Sequence, residues 1–410
     1  MEPIKIRPGY VPYTLALAVS LTAGSALLKA GHAGIAGICW SLILPLILAG
    51  LFDRIELDAG AIRHRGPLAF LLSAIFRVPR ELRVSDIETI TTETTSLTFA
   101  TGDAKLSYHT RIGGAGVEIV VRSHRATYLP FIRALFRAVG TDKLDPRSAE
   151  IAEYLESGKK LRGTPVLKTD IAAMPISRLR RVANALRLAG KLAQASSYFR
   201  VAYEREPRDP RLLYEMSRFL HSSAQNDDSR LRQRSDACLR LASRLASSQP
   251  ALLERIGEAF FERLDYKRAS DCFRRALDHE PNRFRANIGL AEIALRDGKL
   301  AHVAHYYSAA AATDDAALAR MAGREARYYQ RLMGDDDFLE GELQRIRVSN
   351  QIRWARRLAA LAFFSAWMLA GVMGRFYSIF EDFGWAVMAS SGLLWCVSAA
   401  GLRIFRRRTG

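Results

Sequence analysis

Cysteine is scarce in this chain of 410 residues, with only Cys39, Cys238, Cys272 and Cys396. No CxxC pair occurs, and the four are too dispersed for a disulfide framework or a zinc site. Each reads as a small buried residue, and a reducing compartment fits. Acidic residues are also under-represented, 42 against 60 Lys and Arg, for a net charge of +18. Motifs of catalysis are missing as well. Gly113, Gly114 and Gly116 lack the lysine and following helix of a phosphate loop, and read as a hairpin turn. His302 and His305 lie one helical turn apart but have no third ligand in view and no HExxH. Asp335–Asp337 lacks the alternation of a calcium loop and suits a helix start. No Ser–His–Asp or Cys–His arrangement can be argued from spacing. The chain reads as a non-enzyme without cofactor or metal. A basic chain raises nucleic acid as a partner, but no recognition motif is present.

What the chain does have is helical periodicity. In Pro250–Arg283, apolar or small residues fall at Leu253, Ile256, Gly257 and Phe260, then at Tyr266, Ala269, Phe273 and Ala276. Each set has the three-and-four spacing of one helix face, and Pro281 closes the unit. Gly190, Leu192, Ala195, Phe199, Ala202 and Pro207 repeat the second half of the pattern, as do Gly298, Leu300, Tyr307 and Ala310. This resembles a tetratricopeptide repeat, a helix–turn–helix of roughly 34 residues. The units are 176–209, 210–249, 250–283 and 284–317, the second lengthened by a polar run around Ser222–Arg230. Two further helical runs, 317–333 and 337–350, would cap the stack.

In tetratricopeptide stacks the first helices line a groove that holds a partner segment. That resemblance implies a groove exposing Arg180, Asn184 and Arg187, then Tyr214, Arg218 and His221, then Glu254 and Glu258, then Arg285. The basic first half would suit an acidic peptide or a terminal carboxylate. Arg180 and Asn184 resemble half of a carboxylate clamp, but Glu215 stands where that clamp has asparagine.

Four apolar runs lie at the ends: Val11–Leu28, Ala33–Phe52, Leu358–Met373 and Phe383–Leu402. By length each is expected to cross a bilayer core of about 30 Å. A cleaved signal peptide competes for the first run. Arg353, Arg356 and Arg357 before the third run, and Arg403 with Arg406–Arg408 after the fourth, place both termini and the middle of the chain in the cytoplasm.

Between the first pair and the repeats, 53–140 has β character. Arg54–Arg65 is strand–turn–strand, and Leu82–Ile90, Ser96–Ala100, Ala104–Tyr108 and Val117–Val121 are further strand-like runs. Tyr128–Val139 is an amphipathic helix. Strands closed by one helix resemble a bacterial pleckstrin-homology-like domain, which implies a role in assembly or lipid contact. Pro67–Val78 reads either as an interfacial helix, with Arg63, Arg65, Arg77 and Arg80 on lipid phosphates, or as a segment packed on the β core.

The expected architecture is therefore mainly α. It comprises a transmembrane hairpin (1–52), a β-rich domain (53–140), a linker (141–175) in which Ala149–Lys159 reads as a helix, a tetratricopeptide solenoid with capping helices (176–350) and a second transmembrane hairpin (351–410). The expected function is a non-enzymatic bacterial inner-membrane scaffold whose cytoplasmic solenoid binds protein partners and whose spans pack on integral subunits. The alternative is lipid-surface binding or remodelling through the basic β-rich domain. A transport role is weak, because the runs hold almost no ionisable residue to line a pathway.

Overall fold

A computed structural model describes residues 33–58, 60–76, 79–98, 104–123, 127–159, 173–224, 228–372 and 378–407, with 4–6 and scattered positions between 17 and 31. The chain divides into two compact units, 1–326 and 327–410.

The first unit opens with strand β1 (Ile4–Ile6). Helix α1 (Ala33–Phe52) follows, then strands β2 (Arg54–Leu57) and β3 (Ala61–Arg65), helix α2 (Pro67–Phe76) and strand β4 (Glu81–Arg83). These strands form one antiparallel sheet in the order β1-β2-β3-β4. The pairing of Ile6 with Ile55 brings residues on either side of the apolar N-terminal region onto neighbouring strands. A second antiparallel sheet holds β5 (Thr89–Thr98), β6 (Ala104–Gly114) and β7 (Val117–Arg122). The β6–β7 turn uses positive φ at Ala115 (47°) and Gly116 (73°), the backbone twist that matches a tight hairpin.

Helix α3 (Tyr128–Ala138) closes this region and buries Tyr128, Phe131, Ile132, Leu135 and Phe136. Their three-and-four spacing gives one apolar stripe. It joins a core with Ile6, Ile55, Ile62 and Leu82 of the first sheet and Ile90, Ile112, Ile119 and Val121 of the second. Sequence patterning marks most of these strands. The edge strand Ile4–Ile6 is not marked, since three residues before an apolar run carry no readable alternation.

The repeat region is a row of helical hairpins, a repeat-like solenoid. The pairs are α5 (Ile176–Leu188) with α6 (Leu192–Arg205), α7 (Pro210–Ser223) with α8 (Ser229–Leu245), α9 (Pro250–Glu262) with α10 (Tyr266–His279), and α11 (Phe284–Arg296) with α12 (Leu300–Ala310). Helix α13 (Ala316–Gly334) follows, and its Leu318 and Ala322 pack with Phe284 and Ala310.

Contact between hairpins depends on small residues. Phe273 of α10 is buried with its ring between Gly257 of α9 and Gly289 of α11. A Cβ at either glycine would lie 2.7 or 2.5 Å from ring atoms. The turns inside three hairpins share one geometry. Gly190, Leu264 and Gly298 each have positive φ (79°, 64° and 72°). The next amide, of Lys191, Asp265 or Lys299, donates back to the carbonyl of Leu186, Phe260 or Ala294. This is the left-handed helix stop usually given to glycine.

The second unit is dominated by α14 (Asp336–Val372) and α15 (Ser378–Arg407), packed on one another. Their contact buries small residues, among them Ala359, Ala366, Ser391 and Ser398. Trp354, Leu361, Phe364, Leu393 and Val397 remain exposed.

The expectation of four transmembrane helices is corrected. Among the described residues no helix is long and apolar enough to cross a membrane. The multi-pass inner-membrane location that rested on them falls with it. The run Val11–Leu28 lies largely outside the described residues. In the others, run length overstated apolarity. Helix α1 carries three glycines, Ser41 and Pro45. The third run is the end of α14, a helix that also contains Arg353, Arg356 and Arg357. The fourth is interrupted by Ser390, Ser391 and Ser398 within α15.

Candidate functional site: an arginine-lined face and the acidic helix seated on it

The face formed by α5, α7, α9 and α11 carries the groove residues that the tetratricopeptide resemblance implies. It is occupied by the chain itself. Residues 146–159, inside the stretch expected to be a linker, form helix α4 (Pro146–Lys159), which packs against α5 and α9. Asp145 caps its start, accepting from the Ser148 amide at 2.9 Å. Proline in the first turn is compatible with a helix start, because its missing N–H is not needed there.

Glu150, Glu153 and Tyr154 share one face of α4 by three-and-four spacing. Glu150 accepts from Arg187 Nη2 at 2.9 Å and from Arg218 Nε at 2.7 Å. All three side chains are at most 6% exposed. Burial alone would raise the Glu150 pKa. The guanidiniums of Arg187, Arg218 and Arg147 outweigh it and hold the carboxyl well below its usual range. Glu153 accepts from Arg255 Nη1 at 2.7 Å and pairs with Arg211. It too is lowered, its two arginines overcoming a burial effect of opposite sign. The Tyr154 hydroxyl donates to Glu215 at 2.7 Å.

The remaining groove candidates are also engaged. Arg180 forks onto Glu215 at 2.9 and 2.6 Å, so Glu215, the departure from the carboxylate clamp, turns Arg180 inward. Asn184 donates to the Arg180 carbonyl at 3.0 Å and accepts from Arg187. Tyr214 is buried, and its burial raises its pKa. Arg218 also pairs with Glu262. Glu254 accepts from Arg283 at 2.7 Å and from the Ala286 amide at 3.0 Å, tying α9 to the start of α11. Arg285 pairs with Glu258 at 2.6 Å. The second Glu258 oxygen is buried without a hydrogen-bond partner. Burial pushes this carboxyl up to about 7, against the pull of Arg285. His221, in the last turn of α7, is exposed. A cavity of about 320 Å³ remains beside Glu258 and Arg285, with Phe261, Ile288 and Met321 in its wall.

The other end of α4 is anchored in the second sheet. Thr92 Oγ1 lies 2.6 Å from Ser148 Oγ and 3.1 Å from Thr110 Oγ1, which lies 2.8 Å from the Tyr128 hydroxyl. The Thr92 amide donates to Asp145 at 3.1 Å. Further ties join the β region to the helices. Tyr108 donates to the Leu188 carbonyl, Lys143 pairs with Asp315 at 2.9 Å, and Arg324 pairs with Glu88 at 2.9 Å.

Of the expected lipid-facing arginines, the three that are described each have an acidic or aromatic neighbour. Arg63 is paired with Asp58 and Glu81, and Arg65 with Glu56. Arg80 lies 5.0 Å over the ring of Phe70. Arg77 is outside the described residues. His302 and His305 lie against Tyr306, and among the described residues no three potential ligands gather around a metal position.

Sequence reasoning missed Glu150, Glu153 and Tyr154. The signal was present in Asp145-Pro146 followed by two carboxylates and a tyrosine on one helical face. It was masked by the polar, proline- and glycine-bearing composition of the stretch around it. No family model matches the chain, and a search of curated proteins finds no match.

Proposed function

We propose that this chain is a non-enzymatic scaffold of the tetratricopeptide type whose first-helix groove holds acidic helical segments, with α4 as the resident one. The observation that carries the reading is the seating of Glu150 and Glu153 on four arginines from α5, α7 and α9. Hairpins starting at Ile176, Pro210, Pro250 and Phe284, with left-handed turns at Gly190, Leu264 and Gly298 in three of them, support the repeat assignment. Two antiparallel sheets of four and three strands followed by a helix support a pleckstrin-homology-like assignment for the β region. In this reading α4 ties that region to the solenoid. A protein partner with a similar segment competes with α4 or uses surfaces that α4 leaves open.

The test is peptide binding to the full chain and to a Glu150→Ala/Glu153→Ala variant. The probe is a labelled peptide of residues 146–159 at low salt. The folded variant, with its lock weakened, should bind the peptide, and a peptide with both glutamates replaced by glutamine should not bind. The unmodified chain should take up little. A variant that keeps its helical circular dichroism yet ignores the peptide would remove the groove reading.

A further inference from the structure

The second helices carry a different feature, which the groove reading does not use. A cavity of about 560 Å³ opens between α8 and α10, with Phe260 of α9 in its wall. It is lined by five arginines, Arg240, Arg244, Arg268, Arg274 and Arg275, with Ser243 and a single carboxylate, Asp271. Arg240 and Arg244 are four apart on α8, and Arg268, Asp271 and Arg275 recur at three and four on α10. Helical spacing therefore points each set to one side.

Elsewhere in this unit, arginines on the opposite face are matched by carboxylates. Here the balance is different. Arg268 is held by Asp265 at the helix start. Arg275 is oriented by Ser243, donating to its carbonyl at 3.1 Å and its hydroxyl at 3.3 Å. Among the described residues, Arg240, Arg244 and Arg274 make no ion pair. Like charges four apart on a helix, and across a shared cavity, repel one another. A bound anion removes that repulsion. Guanidinium forks match tetrahedral oxyanions in geometry, and the fixed position of Arg275 reduces the ordering cost of binding.

We infer that this cavity binds a phosphorylated ligand, a phosphate monoester or diphosphate group held by Arg240, Arg244, Arg274 and the pre-oriented Arg275. A phosphate carries more charge than one carboxylate and offers acceptors to several guanidiniums at once. The volume leaves room for the group that bears it.

Inorganic pyrophosphate is the probe for calorimetric titration of the full chain at about 50 mM salt. Three proteins are compared: the unmodified chain, Arg240→Gln/Arg274→Gln, and Arg200→Gln as a control at an exposed arginine outside the cavity. The expected result is saturable binding that the double variant weakens at least tenfold and the control leaves unchanged. Competition with a phosphoserine peptide and with a nucleoside diphosphate then tells a protein-borne phosphate from a small-molecule one, and displacement by either supports the class. Thermal unfolding with and without pyrophosphate provides a second readout. A ligand-induced rise is expected for the unmodified chain and control only, which separates loss of binding from loss of fold. Equal binding by all three proteins, or none by the unmodified chain, overturns the assignment.

Discussion

Leu264 occupies a backbone conformation that its equivalents in two other hairpins give to glycine. Its φ is 64°, and its side chain is largely exposed, so packing does not explain the leucine. A left-handed residue with a Cβ costs about 1–2 kcal/mol, partly offset by the greater freedom of glycine in the unfolded chain. Leu264→Gly should therefore raise stability by up to about 1 kcal/mol, read as an upward shift in the urea midpoint with unchanged slope. The Phe273 contact predicts the opposite sign. A methyl at Gly289 would sit 2.5 Å from the ring, and overpacking of this kind costs about 1–3 kcal/mol. Gly289→Ala should lose that much. A smaller residue at position 273 should return part of the loss in a double-mutant cycle. These details were partly legible beforehand. The periodicity around Gly257 and Phe273 gave the hairpin and its small contact residue. That Gly289 of the next hairpin closes the other side of the ring depends on how two units stack.

At the scale of single elements, α4 is the informative case. Its energetics are those of a buried carboxylate held between arginines, so removal of one partner leaves uncompensated charge. Such losses are about 3–5 kcal/mol, and Glu150→Ala is expected in that range by chemical denaturation. The pH dependence follows from the direction of the shift. The folded-state pKa of Glu150 lies below its ordinary 4.5, so its contribution is present in full above that value and fades as pH falls below it. Burial keeps the nearby Tyr214 hydroxyl neutral across this range. Urea midpoints of the unmodified chain should fall between pH 5 and pH 3 more steeply than those of Glu150→Gln. Parallel curves would show that Glu150 is not clamped in solution. The groove residues followed from the tetratricopeptide resemblance, and Arg187 and Arg218 do converge on Glu150. A helix over Ala149–Lys159 was readable, but its role as their partner was not, because its place is fixed by tertiary ion pairs across distant parts of the chain.

On the scale of the molecule, α4 ties together two regions of the first unit. One end enters the hydroxyl chain of Thr92, Thr110 and Tyr128, and the other lies on the solenoid face. Calorimetry of the unmodified chain should show the β region and hairpins of residues 1–326 unfolding together. In Glu150→Ala/Glu153→Ala they should separate into two transitions. A single transition in the variant would assign the coupling to the Tyr108, Lys143 and Arg324 contacts instead. Run length misjudged the terminal segments at this scale, since counting apolar letters ignores the glycines, serines and arginines spaced along the same helices.

The edge strand Ile4–Ile6 has a separate consequence. Because it lies beside Arg54–Leu57, the peptide between them begins and finishes at one place on the sheet rim. Protein engineers would recognise a cassette: everything from about residue 8 to residue 52 could be exchanged for a brief turn joining Ile6 to Ile55, or for a fluorescent reporter, while the ladder on either side keeps its pairing.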